Sequence, residues 1–205
     1  MAIDTYSELK SAIADWLNRS DLTSVIPNFI ELAEAELTRN LRHRKMIVRA
    51  DATIDSEYTQ TPDDWFQTQT LILETDPITT LSYLTPDALN EKRKSSSANG
   101  KPLFYTMIGT EIQVYPVPSG DYTAELVYYA KIPALSDSQT TNWLLDFAPD
   151  IYLYGSLMQS APYLQDDQRL SVWNALYAQK ILDIEISNER TTGQTSVRMR
   201  APVLG

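Results

Sequence analysis

The sequence predicts an α+β chain, mainly α, built as a four-helix bundle with a β-rich domain inserted between helices 2 and 3 and an extended C-terminal arm. Three observations predict it. Apolar residues recur with the helical period before residue 45 and again after residue 149. Between them lie short runs rich in β-branched and aromatic residues, bounded by Pro, Asp, Gly and Ser. The last fifteen residues show neither periodicity nor bulk. The expected organisation is 1–45 and 141–190 for the two halves of the bundle, 46–140 for the β-rich insertion and 191–205 for the arm.

The first helix opens at Thr5-Tyr6-Ser7-Glu8, the Ser/Thr-x-x-Glu spacing of a capping box, in which hydroxyl and carboxylate satisfy backbone N–H groups. Leu9, Ile13, Trp16 and Leu17 then form one stripe, and Asn18 to Asp21 reads as a break. Pro27 suits a first helical turn, and Ile30, Ala33, Leu37 and Leu41 continue a second stripe to about Arg44. Glu31, Glu34 and Glu36 occupy its early turns, while Arg39, Arg42, Arg44 and Lys45 crowd its end, a charge order that complements the helix dipole.

From Met46 the pattern changes to strands: Met46–Ile54, Trp65–Leu73 and Ile78–Leu84. Thr85-Pro86-Asp87 looks like a short helix start, and the stretch from Glu91 to Lys101 has the composition of a mobile loop. Leu103–Ile108, Glu111–Tyr115 and Tyr122–Ala130 are expected as an antiparallel meander, its first pair joined tightly at Gly109-Thr110. Tyr115, Tyr122, Tyr128 and Tyr129 should serve as core and cross-strand packing rather than as a base-stacking or sugar-binding platform. Helix returns near Pro149 with Ile151, Tyr154, Leu157 and Met158, and Pro162 should end it. Asp166-Asp167 stands where another start is wanted. Leu170, Trp173, Tyr177, Ile181 and Ile184 line a long last helix, with Gly193 as its stop.

The 205 residues contain no Cys and a single His, which excludes disulfides, thiolate metal sites and thiol nucleophiles. The formal charge of −10 argues against general nucleic-acid binding, which needs clustered cations. No apolar run approaches the ~18 residues of a membrane span. No G-x-x-x-x-G-K-[ST], G-x-G-x-x-G, H-E-x-x-H or G-x-S-x-G occurs, so neither a catalytic site nor a cofactor is expected. Asp63-Asp64 and Asp166-Asp167 could pair as acid and base, but at turns and helix starts they read as caps. His43, between Arg42 and Arg44, reads as a surface residue at a helix end.

Charge is unevenly distributed. Residues 1–36 hold seven acids and two bases, residues 37–49 five bases and no acid, and residues 50–205 twenty acids and ten bases. The basic helix end, Arg39, Arg42, Arg44 and Lys45, either answers the dipole or meets an acidic partner surface or passing DNA.

Several short patterns, in order, carry a resemblance. They are Thr5-Tyr6-Ser7-Glu8-Leu9, the run from Phe29 through Leu37 into Arg39-Asn40-Leu41-Arg42, and Thr61-Pro62-Asp63-Asp64-Trp65. Pro102-Leu103-Phe104-Tyr105, Tyr115-Pro116-Val117-Pro118-Ser119-Gly120, the run from Tyr128 to Ser136, and Thr141-Asn142-Trp143-Leu144-Leu145 complete the series. Over nearly the whole chain they resemble the head-to-tail connector adaptors of tailed bacteriophages, the group that includes tail tubular protein A.

The resemblance implies a non-enzymatic virion protein at the neck, assembled in the host cytoplasm. It would form a homo-oligomeric ring, usually a dodecamer, between the portal protein and a tail nozzle or tube protein. DNA would pass through without specific binding, and no membrane would be involved. The segment 191–205 then resembles an arm laid against portal subunits. Val197, Arg198, Met199 and Arg200 would supply its mixed apolar and cationic contacts. A tail-completion or tail-terminator protein, or a carbohydrate-binding tail component using the Tyr-rich strands, are the alternatives.

Overall fold

The computed structural model describes residues 2–95, 99–164 and 168–192. The elements in chain order are α1 (Tyr6–Leu17), α2 (Ile26–Asn40), β1 (Ile47–Ile54), β2 (Tyr58–Gln60), β3 (Trp65–Leu73), β4 (Thr79–Thr80), β5 (Ser82–Tyr83), α3 (Pro86–Ser95), β6 (Phe104–Ile108), β7 (Glu111–Tyr115), β8 (Tyr122–Ala130), α4 (Trp143–Phe147), α5 (Pro149–Gln159) and α6 (Arg169–Thr192). The chain divides into two compact units: residues 46–131 form one, and the segments on either side of them form the other.

The expected four-helix bundle is overturned. Among the described residues there are six α-helices and two sheets of four strands each. Two local causes explain the extra helices. Asn142 and Pro149 each start a helix, so the chain after residue 141 forms three helices rather than two. A further helix, α3, belongs to the β-rich unit and runs to Ser95, through residues expected to be a loop.

In the helical unit, the capping box at α1 forms. Thr5 Oγ1 accepts from the Glu8 N–H at 3.3 Å, and the Glu8 carboxylate accepts from the Thr5 N–H at 2.9 Å. Hydrogen bonds from the Asp4 N–H and the Thr5 hydroxyl hold the Glu8 carboxyl below its ordinary pKa. Thr5→Ala should cost about 1 kcal/mol, read as a lower denaturation midpoint at unchanged m-value. Asn18 then ends α1 in a left-handed conformation, φ 53°.

The second helix stops at Asn40, not Arg44. Arg42 bends back so that its Nη1 donates to the carbonyl oxygens of Thr38, Arg39 and Leu41, taking up acceptors that the helix end leaves open.

Helix α5 is the centre of this unit and packs against α1, α2, α4 and α6. It is apolar or small almost all round, with Ile151, Tyr152, Leu153, Gly155, Ser156 and Leu157 buried, as a surrounded helix must be. Gly155 sets the approach distance. A Cβ there would stand 3.1 Å from Tyr177 Cε2 and 3.4 Å from Ala33 Cβ, so α6 and α2 close on α5 through the missing side chain.

In the β-rich unit one sheet has the order β1-β8-β3-β4 and the other β2-β7-β6-β5. Ile54, Leu71, Leu73, Ala124, Leu126 and Tyr128 from the first sheet share a core with Tyr105, Ile112 and Val114 from the second. The expected meander holds only for β6 and β7. β8 leaves that sheet and lies between β1 and β3, pairing antiparallel with both. Pro116 and Pro118, which lack the N–H a ladder needs, fill the connection where the chain changes sheets. β2, only three residues long and outside the strands expected from the sequence, is held by β7.

Candidate interaction surfaces

The basic helix end divides into two roles. Arg42 caps the carbonyls of α2, as above. Arg39, Arg44 and Lys45 are exposed, and Lys45 Nζ lies 4.6 Å from the centroid of Phe147. Asn188 of α6 pins this segment, accepting from the Arg44 N–H and donating to the Arg42 carbonyl, both at 3.1 Å. The three exposed cations therefore project from a fixed backbone.

His43 is not at the surface. It is only 2% exposed, stacked on Trp143 with ring centroids 5.5 Å apart and planes within 13°, and it also meets Phe147. Its Nδ1 accepts from the Lys45 N–H. Burial first, then Arg44 and Lys45, lower its pKa and favour the neutral ring. The flanking arginines suggested exposure because the aromatic residues that cover the ring come a hundred positions later.

A buried polar chain joins α2 to the segment before α4. Asn142 Nδ2 donates to Tyr152 Oη at 2.6 Å, and that hydroxyl donates to Glu34 Oε1 at 3.0 Å. Glu34 Oε1 also accepts from the Leu135 N–H at 2.9 Å. Asn142 Oδ1 accepts from the N–H groups of Leu144 and Leu145, which starts α4. Desolvation pushes the Glu34 carboxyl above its ordinary pKa, with these hydrogen bonds opposing the shift; burial and the nearby Glu34 raise that of Tyr152. Glu34 was expected, with Glu31 and Glu36, only to answer the helix dipole; standing four residues after Ile30 and three before Leu37, it falls on the buried stripe of α2, whereas Glu31 is exposed. This cluster fixes structure, because its members are engaged with one another rather than aimed at a ligand.

In the other unit, Asp64 accepts from the Tyr128 hydroxyl at 2.8 Å. Burial, then Asp64, pushes that hydroxyl up to about 12. Lys131 Nζ reaches the carbonyl oxygen of its neighbour Asp63. Among the described residues neither carboxylate accepts from a backbone N–H, so the expected capping role is not seen. Tyr115 and Tyr128 are buried in packing. Asp166-Asp167 and Gly193 lie outside the described residues, as do Val197, Arg198, Met199 and Arg200.

A cleft of 250 Å³ opens in the same unit between β1 and the β2 segment. Ala50, Asp51, Ala52 and Ile54 line one wall, Thr59 to Pro62 the other, and Leu71, Ile112, Ala124 and Leu126 the floor. Its cause is in the sequence. β1 turns two alanines toward the core, in register with Leu126 and Ala124, and leaves the space a larger side chain would fill. The period-2 alternation of Val-Arg-Ala-Asp-Ala-Thr-Ile carries that signal.

Among the described residues no cluster of three or more potential metal ligands occurs, and no helix is long and apolar enough to cross a membrane. The family described as SU10 adaptor protein matches residues 4–200. No curated protein matches the chain.

Proposed function

Because the chain belongs to the SU10 adaptor protein family, which is made up of structural adaptors of bacteriophages, we propose that it joins the portal to the tail as a ring with a central passage for DNA. The family match over residues 4–200 carries this reading. It indicates a head-tail adaptor-type protein that interacts with other head or tail proteins, structural rather than catalytic, and resident in the virion.

Two features of the chain support the finer assignment. A ring closes through heterologous contacts, so each subunit needs two unlike surfaces. The exposed cations Arg39, Arg44 and Lys45 stand on a chain of net charge −10, so the molecule carries surfaces of opposite sign. An acidic protein around a DNA passage also repels the phosphate backbone rather than gripping it. In this reading the 191–205 segment, with Val197, Arg198, Met199 and Arg200, lies against the portal.

The test is electron microscopy of the chain mixed with the portal of its own phage. A ring seated under the portal is expected. Absence of any complex across a range of ratios overturns the assignment. Deleting residues 193–205 should weaken portal docking while leaving the thermal transition of the free chain in place.

A further inference from the structure

β1 is the open edge of its sheet. It pairs with β8 on one side, and among the described residues no strand pairs with its other side. It is eight residues long and exposed except at Ala50 and Ile54, it contains no proline, and its register with β8 runs without a bulge, so Arg49 and Asp51 are the charges that guard it. Beside this edge lies the 250 Å³ cleft, apolar in its floor, with Ala50, Asp51 and Ala52 on the β1 side and the polar run Thr59 to Thr61 facing them.

We propose that this edge and cleft receive an extended segment of another virion protein, which adds as a further strand to β1 and inserts apolar side chains between the two sheets. Main-chain hydrogen bonds along an edge give affinity, and pockets for alternate side chains give selectivity. The alternation of β1 dictates the chemistry of the occupant. Its inner face presents Val48, Ala50 and Ala52, so every second residue of the incoming strand meets the cleft and must be apolar. Its outer face presents Ile47, Arg49, Asp51 and Thr53.

Charge fixes the rest. Residues 47–64 hold five carboxylates, Asp51, Asp55, Glu57, Asp63 and Asp64, against one cation, Arg49. Arg49 lies 3.3 Å from Glu125. Asp51 stands directly opposite Glu125 in the register, a like-charge cross-strand pair that weakens the sheet. No ion pair of Asp51 occurs among the described residues. An incoming strand with Lys or Arg on its outer face relieves this site. The occupant is therefore a basic segment with alternating apolar residues. A second copy of the acidic β-rich unit does not meet that description. The inference rests on the adaptor reading only for the source of the segment, not for the site itself.

The probe is a capped octapeptide alternating valine and lysine, added to the purified full-length chain. Its counterpart alternates valine and glutamate. Binding of the lysine peptide is expected, with slowed amide exchange across residues 47–54. Ala52→Leu, which fills the cleft, should weaken that binding by about tenfold or more. Asp51→Lys, a surface change that leaves the core intact, should reverse the preference toward the glutamate peptide. Equal binding of both peptides, or binding without protection of β1, overturns the proposal. Protection of β1 in the chain alone, rising with its concentration, also overturns it and assigns the edge to a second copy. None of these outcomes depends on whether the chain forms a ring on the portal.

Discussion

Glu34→Ala is expected to destabilise the helical unit by about 3 kcal/mol, because it leaves two buried donors, the Leu135 N–H and the Tyr152 hydroxyl, without an acceptor. For a chain of this size that corresponds to a fall of roughly 10 °C in the thermal midpoint. Three of the four tryptophans, Trp16, Trp143 and Trp173, report on this unit, so the transition can be followed by fluorescence. Glu34→Gln keeps an accepting oxygen at the same place and removes the charge. It should lose far less than the alanine variant.

The pH dependence of that pair has a definite sign. In the unfolded chain Glu34 releases its proton near the ordinary value of ~4.3. Burial holds the proton to a higher pH in the folded chain. Above ~4.3 the unfolded state therefore binds fewer protons at this site, and Glu34's contribution to stability falls as pH rises through the raised folded value. Glu34→Gln lacks this loss, so its stability relative to the parent should rise as the pH climbs above ~4.3. A difference that stays flat, or falls, would show that the carboxyl is not desolvated in the way the geometry requires.

Gly155→Leu should have an effect of comparable size, about 3 kcal/mol, by overpacking. The first added atom already stands 3.1 Å from a ring carbon of Tyr177 and 3.4 Å from Ala33, and three more carbons have no space between those helices. Tyr177 is buried and cannot swing clear without exposing its ring. Gly155→Ala is the informative companion. It gains up to about 1 kcal/mol of helix propensity and meets only the first contact, so it should lie within about 1 kcal/mol of the parent. If the leucine variant is as stable as the alanine one, α5 does not sit as close to α2 and α6 as described. Urea midpoints of the three proteins decide it.

Local signals proved legible and distant pairings did not. The α1 capping box, the Pro27 start of α2 and the β-branched runs of β1 and β3 could be read because their causes lie within a few residues. α4 could not, being five residues long and defined by a single cap at Asn142. β2 exists only because β7 pairs with it. β8 joined the other sheet because its partners are β1 and β3, and no short window contains that information.

The surfaces divide in the same way. Arg39, Arg44 and Lys45 are as exposed as their charges suggest, while Arg42 turns inward to the end of α2. His43 read as a surface residue, and the partner of Glu34 went unseen, because the groups that meet them, Trp143 and Tyr152, are remote in sequence. The cleft beside β1 needed both sheets to be assembled before its two alanines could be recognised as a void.

The register between β1 and β8 has one more implication. Ile47 lies opposite Tyr129, so the strand by which the chain enters the β-rich unit is hydrogen-bonded to the strand by which it leaves. Its doorway and its exit are one place. A module joined in this way can be lifted out, lengthened or replaced during evolution without moving the two points where the remaining helices are spliced. Relatives facing unlike neighbours could thus keep one helical body and exchange the cassette.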